Sequence, residues 1–228
     1  MESEAFVRPS SAILCGSPGA LLDWVALGFA RTNPGGYFWT DVRLPEQRVD
    51  RRGPLARHAI PPEQLSVVEP EVLSRNDAPA NAAIWAVVSP SESAPALGQL
   101  ADFLRLPSHT QRLIASRGNA AGPPVLVLSN AHRIAAEYPT ESVGPLVRAI
   151  VGAGVSLFMT FSDEPPKGRL AFDNVWHLEA GDVSSWREAQ LVVEAGTFGP
   201  PLTAGSKVPL SRISRLSGVL AELSSSSP

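Results

Sequence analysis

Seven short apolar runs, rich in β-branched residues, alternate along this chain with segments of helical or loop character, and that alternation constrains the fold more than any other feature. A strand joined through a helix to the next strand usually returns parallel to it. Repetition of the pattern therefore points to an α/β architecture, with a largely parallel sheet flanked by helices on both faces. The strand-like runs cover 11–15, 36–40, 65–69, 125–128, 155–161, 174–178 and 190–193. Two of them, V-L-V-L at 125 and V-S-L-F-M-T-F at 155, lack a clean polar face, which predicts central strands covered on both sides. Helices are expected over 21–30, 82–88, 97–117 and 141–152, the third divided at Pro107 because proline cannot continue a helical hydrogen-bond ladder.

Length and composition set the outer bounds. With 228 residues, 44% of them hydrophobic and 18% charged, the chain is long enough to bury a sizeable core in one domain. That domain is expected over 1–210, followed over 211–228 by a C-terminal helix and a serine-rich tail whose S-S-S-S-P ending reads as disordered. No apolar run is long enough to cross a bilayer, and the first residues lack the basic and apolar regions of a secretion signal, so a cytoplasmic protein is expected. The single cysteine, Cys15, rules out an internal disulfide and sits in an apolar run, as a buried structural thiol does.

Several chemistries have no support. His58, His109, His132 and His177 are far apart and have no partner at metal-ligand spacing, so neither a metal nor another cofactor is expected. No G-x-S-x-G segment is present to carry a serine nucleophile. Trp24 and Trp39 are expected in the core. Core is also the default for Trp85, Trp176 and Trp186, with an interface as the alternative. The turn-rich stretch at 198–207 reads as a hairpin or an extended arm at the sheet edge, available for assembly.

The segment with the right frame for chemistry is 16–23, G-S-P-G-A-L-L-D, which lies between a strand and a helix. A working phosphate-binding loop, GxxxxGK[ST], wraps phosphates in backbone N–H groups, neutralises them with its lysine and binds Mg²⁺ through its hydroxyl. Here Gly16, Ser17, Pro18 and Gly19 preserve the opening. Leu21, Leu22 and Asp23 then occupy the places of the second glycine, the lysine and the hydroxyl residue. An aspartate in the first helical turn satisfies the helix dipole from within and opposes an incoming phosphate.

The order of segments resembles the RecA superfamily, and within it the KaiC/RadA-like ATPases. G-S-P-G is similar to the opening of that family's phosphate loop, and G-G-Y-F-W-T-D at 35–41 to the strand that ends near a catalytic glutamate, with Asp41 the nearest carboxylate. P-V-L-V-L-S-N at 124–130 resembles the Walker B strand, but Ser129, followed by Asn130, stands where the Mg²⁺-orienting aspartate belongs. G-V-S-L-F-M-T-F at 154 resembles the sensor strand, and L-A-F-D-N-V-W-H-L at 170 a further family segment. In Q-L-V-V-E-A-G-T at 190, Val193 and Ala195 replace the lysine and arginine that in KaiC-like relatives reach a neighbouring subunit's nucleotide.

The resemblance implies a RecA-like P-loop fold, and the joint loss of its charged residues implies a pseudo-ATPase: not an enzyme, but a regulatory or scaffolding subunit that binds a protein partner or itself. Two alternatives are open. One is an atypical nucleotide-binding protein that substitutes arginines such as Arg43 or Arg169 for the lost lysine. The other is a DNA-binding recombination accessory. For the latter, Arg43, Arg48, Arg51, Arg52 and Arg57 form a local basic surplus against Glu46 and Asp50, a candidate anion or nucleic-acid contact, although the net charge of −3 gives no general affinity for nucleic acid.

Overall fold

The structure, a computed structural model, describes residues 8–16, 20–33, 37–41, 65–68, 84–87, 122–129, 131, 140–162, 171–179, 186–196 and 203–225. All seven expected strands are present. The elements are β1 (Ser11–Gly16), α1 (Ala20–Thr32), β2 (Tyr37–Asp41), β3 (Leu65–Val68), β4 (Ile84–Val87), β5 (Val125–Ser129), α2 (Thr140–Gly152), β6 (Ser156–Ser162), β7 (Asn174–Glu179), β8 (Gln190–Ala195), β9 (Lys207–Pro209), a 3₁₀ turn (Leu210–Arg212) and α3 (Ser214–Ser225).

Seven strands form one sheet in the order β2-β5-β6-β1-β7-β8-β9, and β3 and β4 pair separately. From β2 through β7 every pairing is parallel, while β8 and β9 add an antiparallel hairpin. The chain begins near the middle of the sheet, crosses to the β2 edge, works back through β5 and β6, and passes to the other side of β1 as β7. Such a reversal at the first strand opens a crevice beyond the carboxyl ends of the strands, the usual ligand position in open α/β sheets.

The alternation of side chains along each strand divides the core into two layers. Ala12, Leu14, Val125, Val127, Phe158, Trp176, Leu191 and Val193 belong to the cluster that also contains the apolar residues of α1 and α3. Ile13, Leu126, Leu128, Leu157, Met159, Phe161 and Val175 alternate with these along their strands and are also buried. The unbroken burial of β5 and of most of β6 accounts for the lack of a polar face in both runs. Phe29 stacks on Trp176 at 5.3 Å and meets Phe158 edge-on at 5.4 Å, so one aromatic group joins α1 to β6 and β7.

One expectation changes. The segment 82–88 is not a helix, because its I-W-A-V run forms β4 and pairs in parallel with β3. A short run of β-branched and aromatic residues between Pro79 and Pro90 suits a strand better than a helix. The helix expected within 211–228 is α3, which buries Leu216 and Leu220, with Ile213 just before it. These side chains recur at helical spacing and seat α3 on α1. At Gly28 an added Cβ would come within 2.9 Å of Leu216 Cδ2, so the absent side chain admits the crossing. Trp176 and Trp186 are 0% and 3% exposed, so both are core side chains, the default reading for each. Trp24 is buried as expected, as is the thiol of Cys15. The turn-rich stretch ends in the β8–β9 hairpin, where Gly205 has a φ of 87° and its N–H donates to the carbonyl of Val193. The expected helix over 97–117 lies outside the described residues.

Candidate functional site at the carboxyl end of the sheet

Three of the segments singled out in the sequence meet beyond the carboxyl ends of the parallel strands. Gly16 ends β1, α1 begins four residues later, and Ser129 ends β5 as the register partner of Asp41, the last residue of β2. Ser17, Pro18, Gly19 and Asn130 lie outside the described residues, as do Arg43, Arg48, Arg51, Arg52, Arg57 and Arg169. The arginine-rich candidate contact therefore has no structural description here.

Leu21 and Leu22, at the places of the loop's second glycine and lysine, are 4% and 3% exposed and belong to the main core cluster. Leu22 turns back over the end of β1, its Cδ2 lying 3.2 Å from where a Cβ on Gly16 would be. A lysine in that orientation would carry its ammonium into apolar surroundings, where an unpaired charge is strongly disfavoured. Gly16 itself has a packing reason to be glycine. A Cβ there would sit 2.9 Å from the carbonyl oxygen of Leu178 on β7, a backbone atom with little freedom to retreat.

Asp23 lies in the first turn of α1 and is partly buried, while Ser129 is 1% exposed. The hydroxyl of Ser129 donates a 2.6 Å hydrogen bond to Oδ1 of Asp23, across 106 residues of sequence. Separately, the two residues read as a helix-dipole carboxylate and a polar strand cap. Together they form one pair, a relationship that sequence reasoning missed. The available signal was their position, since both fall on motif places that in the resembled family surround Mg²⁺.

The metal–nucleotide group that the resemblance implies does not fit these side chains. The cation's place holds a buried leucine, and the hydroxyl's place holds a carboxylate directed at Ser129. The place of the metal-orienting carboxylate holds a hydroxyl that donates to Asp23. Among the described residues, the set brings a negative charge to the helix N-terminus, the reverse of what a triphosphate requires.

At the other side of β1, Val193 is fully buried in the core and Gly196 is constrained by packing. Gly196 has a φ of 78°, and a Cβ on it would lie 2.2 Å from the carbonyl oxygen of Asp173. Glu194 is the extra residue of a bulge in the β7–β8 pairing, and its carboxylate pairs with the imidazole of His177. Among the described residues no group of three metal-capable side chains is assembled.

Neither a protein family nor a curated protein sequence matches the chain. Among solved structures it is similar to the genome packaging NTPase B204 from Sulfolobus turreted icosahedral virus 2 in complex with AMP. The identity is 12% and the TM-score 0.45, over 78% of this chain and 79% of that chain. Among the described residues no helix is long and apolar enough to cross a membrane.

Proposed function

We propose that this chain is a RecA/KaiC-like pseudo-ATPase, a P-loop-type fold that no longer hydrolyses nucleotide and acts through protein–protein contacts as a regulatory or scaffolding subunit. The observation that carries the reading is the closed end of the sheet at α1. Leu22 is committed to the core, and Asp23 and Ser129 are bonded to each other at the places where a lysine and a Mg²⁺-binding pair are required. Phosphoryl transfer relies on positioned cations to stabilise charge in the transition state, and losing one such group removes orders of magnitude in rate. On this reading, loss of all of them together leaves the fold's surfaces as the object of selection.

The deciding experiment is calorimetric titration of the full chain with ATP and with a non-hydrolysable analogue in Mg²⁺, paired with light scattering alone and with an added active ATPase of the same fold. The expected result is no heat at millimolar nucleotide, together with self-association or a mixed complex. Micromolar binding would replace this reading with an atypical nucleotide-binding protein. A monomer that captures no partner, but retains labelled single-stranded DNA in a salt-sensitive way that Arg48, Arg51 and Arg52 control, would replace it with the recombination accessory.

A further inference from the structure

We infer that Asp23 and Ser129 form a transposed latch, in which carboxylate and hydroxyl have exchanged places between the helix start and the strand end and now fasten α1 to β5 with no metal between them. The inference rests on the inactive reading and adds what has become of the vacated centre. In the resembled pattern the hydroxyl follows the loop lysine and the carboxylate ends the Walker B strand. Here the carboxylate is Asp23 on α1 and the hydroxyl is Ser129 on β5, and the pair still has one donor and one acceptor within 2.6 Å.

The exchange moves the negative charge from the strand end to the first turn of α1. The helix dipole stabilises it there, and from there it repels an anion approaching the same turn. A hydrogen bond from a buried hydroxyl to a carboxylate is among the stronger neutral–ionic kind, and Ser129 at 1% exposure has little water to compete for it. One contact therefore performs two tasks. It holds the N-terminal turn of α1 against β5, which in a working site a bound metal and nucleotide help to do, and it keeps phosphate out.

The test is a double-mutant cycle on the full chain, read by urea denaturation: Ser129→Ala, Asp23→Ala, both together, and the reverse exchange Asp23→Ser with Ser129→Asp. Each single change is expected to lower the folding equilibrium constant about tenfold, as for a hydrogen bond to a charged group. The double alanine variant is expected to fall well short of the sum of the two single changes, because both remove the same contact. The reverse exchange is expected to recover more than half of the lost midpoint, which a merely space-filling role for either side chain would not produce.

Additive single effects, or a reverse exchange no more stable than the double alanine variant, would overturn the latch. If an alanine variant does not fold, the cycle is run with the near-isosteric Asp23→Asn and Ser129→Cys, and the same coupling is required. Failure of the latch is separable from failure of the inactive reading. Absent coupling with silent ATP titration sinks the latch alone, whereas ATP binding to the wild-type chain sinks the reading beneath it.

Discussion

Two ties, one toward each end of the parallel strands, are each made by an aspartate and a serine, and they are built differently. At the amino end, Asp173 Oδ2 accepts from the backbone N–H of Ser11 at 2.7 Å and from its hydroxyl at 2.9 Å, while the N–H of Asp173 donates to that hydroxyl at 3.0 Å. This is a reciprocal clasp between neighbouring strands. At the carboxyl end, one bond joins Asp23 and Ser129, which belong to a helix and to a strand that is not adjacent to β1. The clasp satisfies a peptide N–H that the first residue of a strand would otherwise leave open in a buried position. The latch joins side chain to side chain, at the end of the sheet where ligands usually bind. The first therefore meets a requirement of the fold, and the second is the contact proposed above as a latch.

That contrast can be broken at the clasp first. Gly196→Ala should have the largest effect, because a side chain at a φ of 78° is strained and its Cβ would press on the carbonyl of Asp173 and on Asn174. A loss of about 3 kcal/mol or more is expected from chemical denaturation. A loss below about 1 kcal/mol would show that β7 and β8 part easily, and that the clasp end is not the rigid one.

Asp173→Ala comes next. It removes the acceptor of two bonds, one of them from the N–H of Ser11, which is 1% exposed, and leaving that group unsatisfied should cost about 2–3 kcal/mol. The comparison sharpens if this exceeds the effect of Ser129→Ala. Equal effects would mean that the single bond at the carboxyl end is as much a structural necessity as the clasp.

The smallest effect should come from the hairpin. Lys207 donates to both carboxylate oxygens of Glu179 at 2.8 and 2.9 Å, yet the two side chains are 54% and 55% exposed. Lys207→Ala should change stability by less than about 1 kcal/mol, and less still in high salt, since water and ions screen such a pair. A larger loss would place the hairpin, rather than either tie, among the determinants of the fold.

Much of this arrangement is readable from the residues. The runs at 125 and 155 announce central strands because they lack a polar side, and both are buried. Leu22 and Asp23 were visible at the start of a helix in a strand–turn–helix frame. The one misreading has a physical cause. At 82–88 a short apolar run carries no period long enough to separate helix from strand, and tertiary pairing with β3 decided it. The C-terminal helix was legible, but its seat was not, since Leu216 and Leu220 dock beside Gly28 on a surface that only the folded chain presents.

The sequence by itself determined which segments are buried strands, because hydrophobic patterning is a local property of the chain. Only the tertiary structure decided the order of the strands, the clasp joining residues 162 apart and the latch joining residues 106 apart. Burial of apolar surface is non-directional and tolerates many neighbours, so it leaves strand order open. A hydrogen bond needs a particular donor within about 3 Å of a particular acceptor, and that proximity exists only once the whole sheet has been assembled.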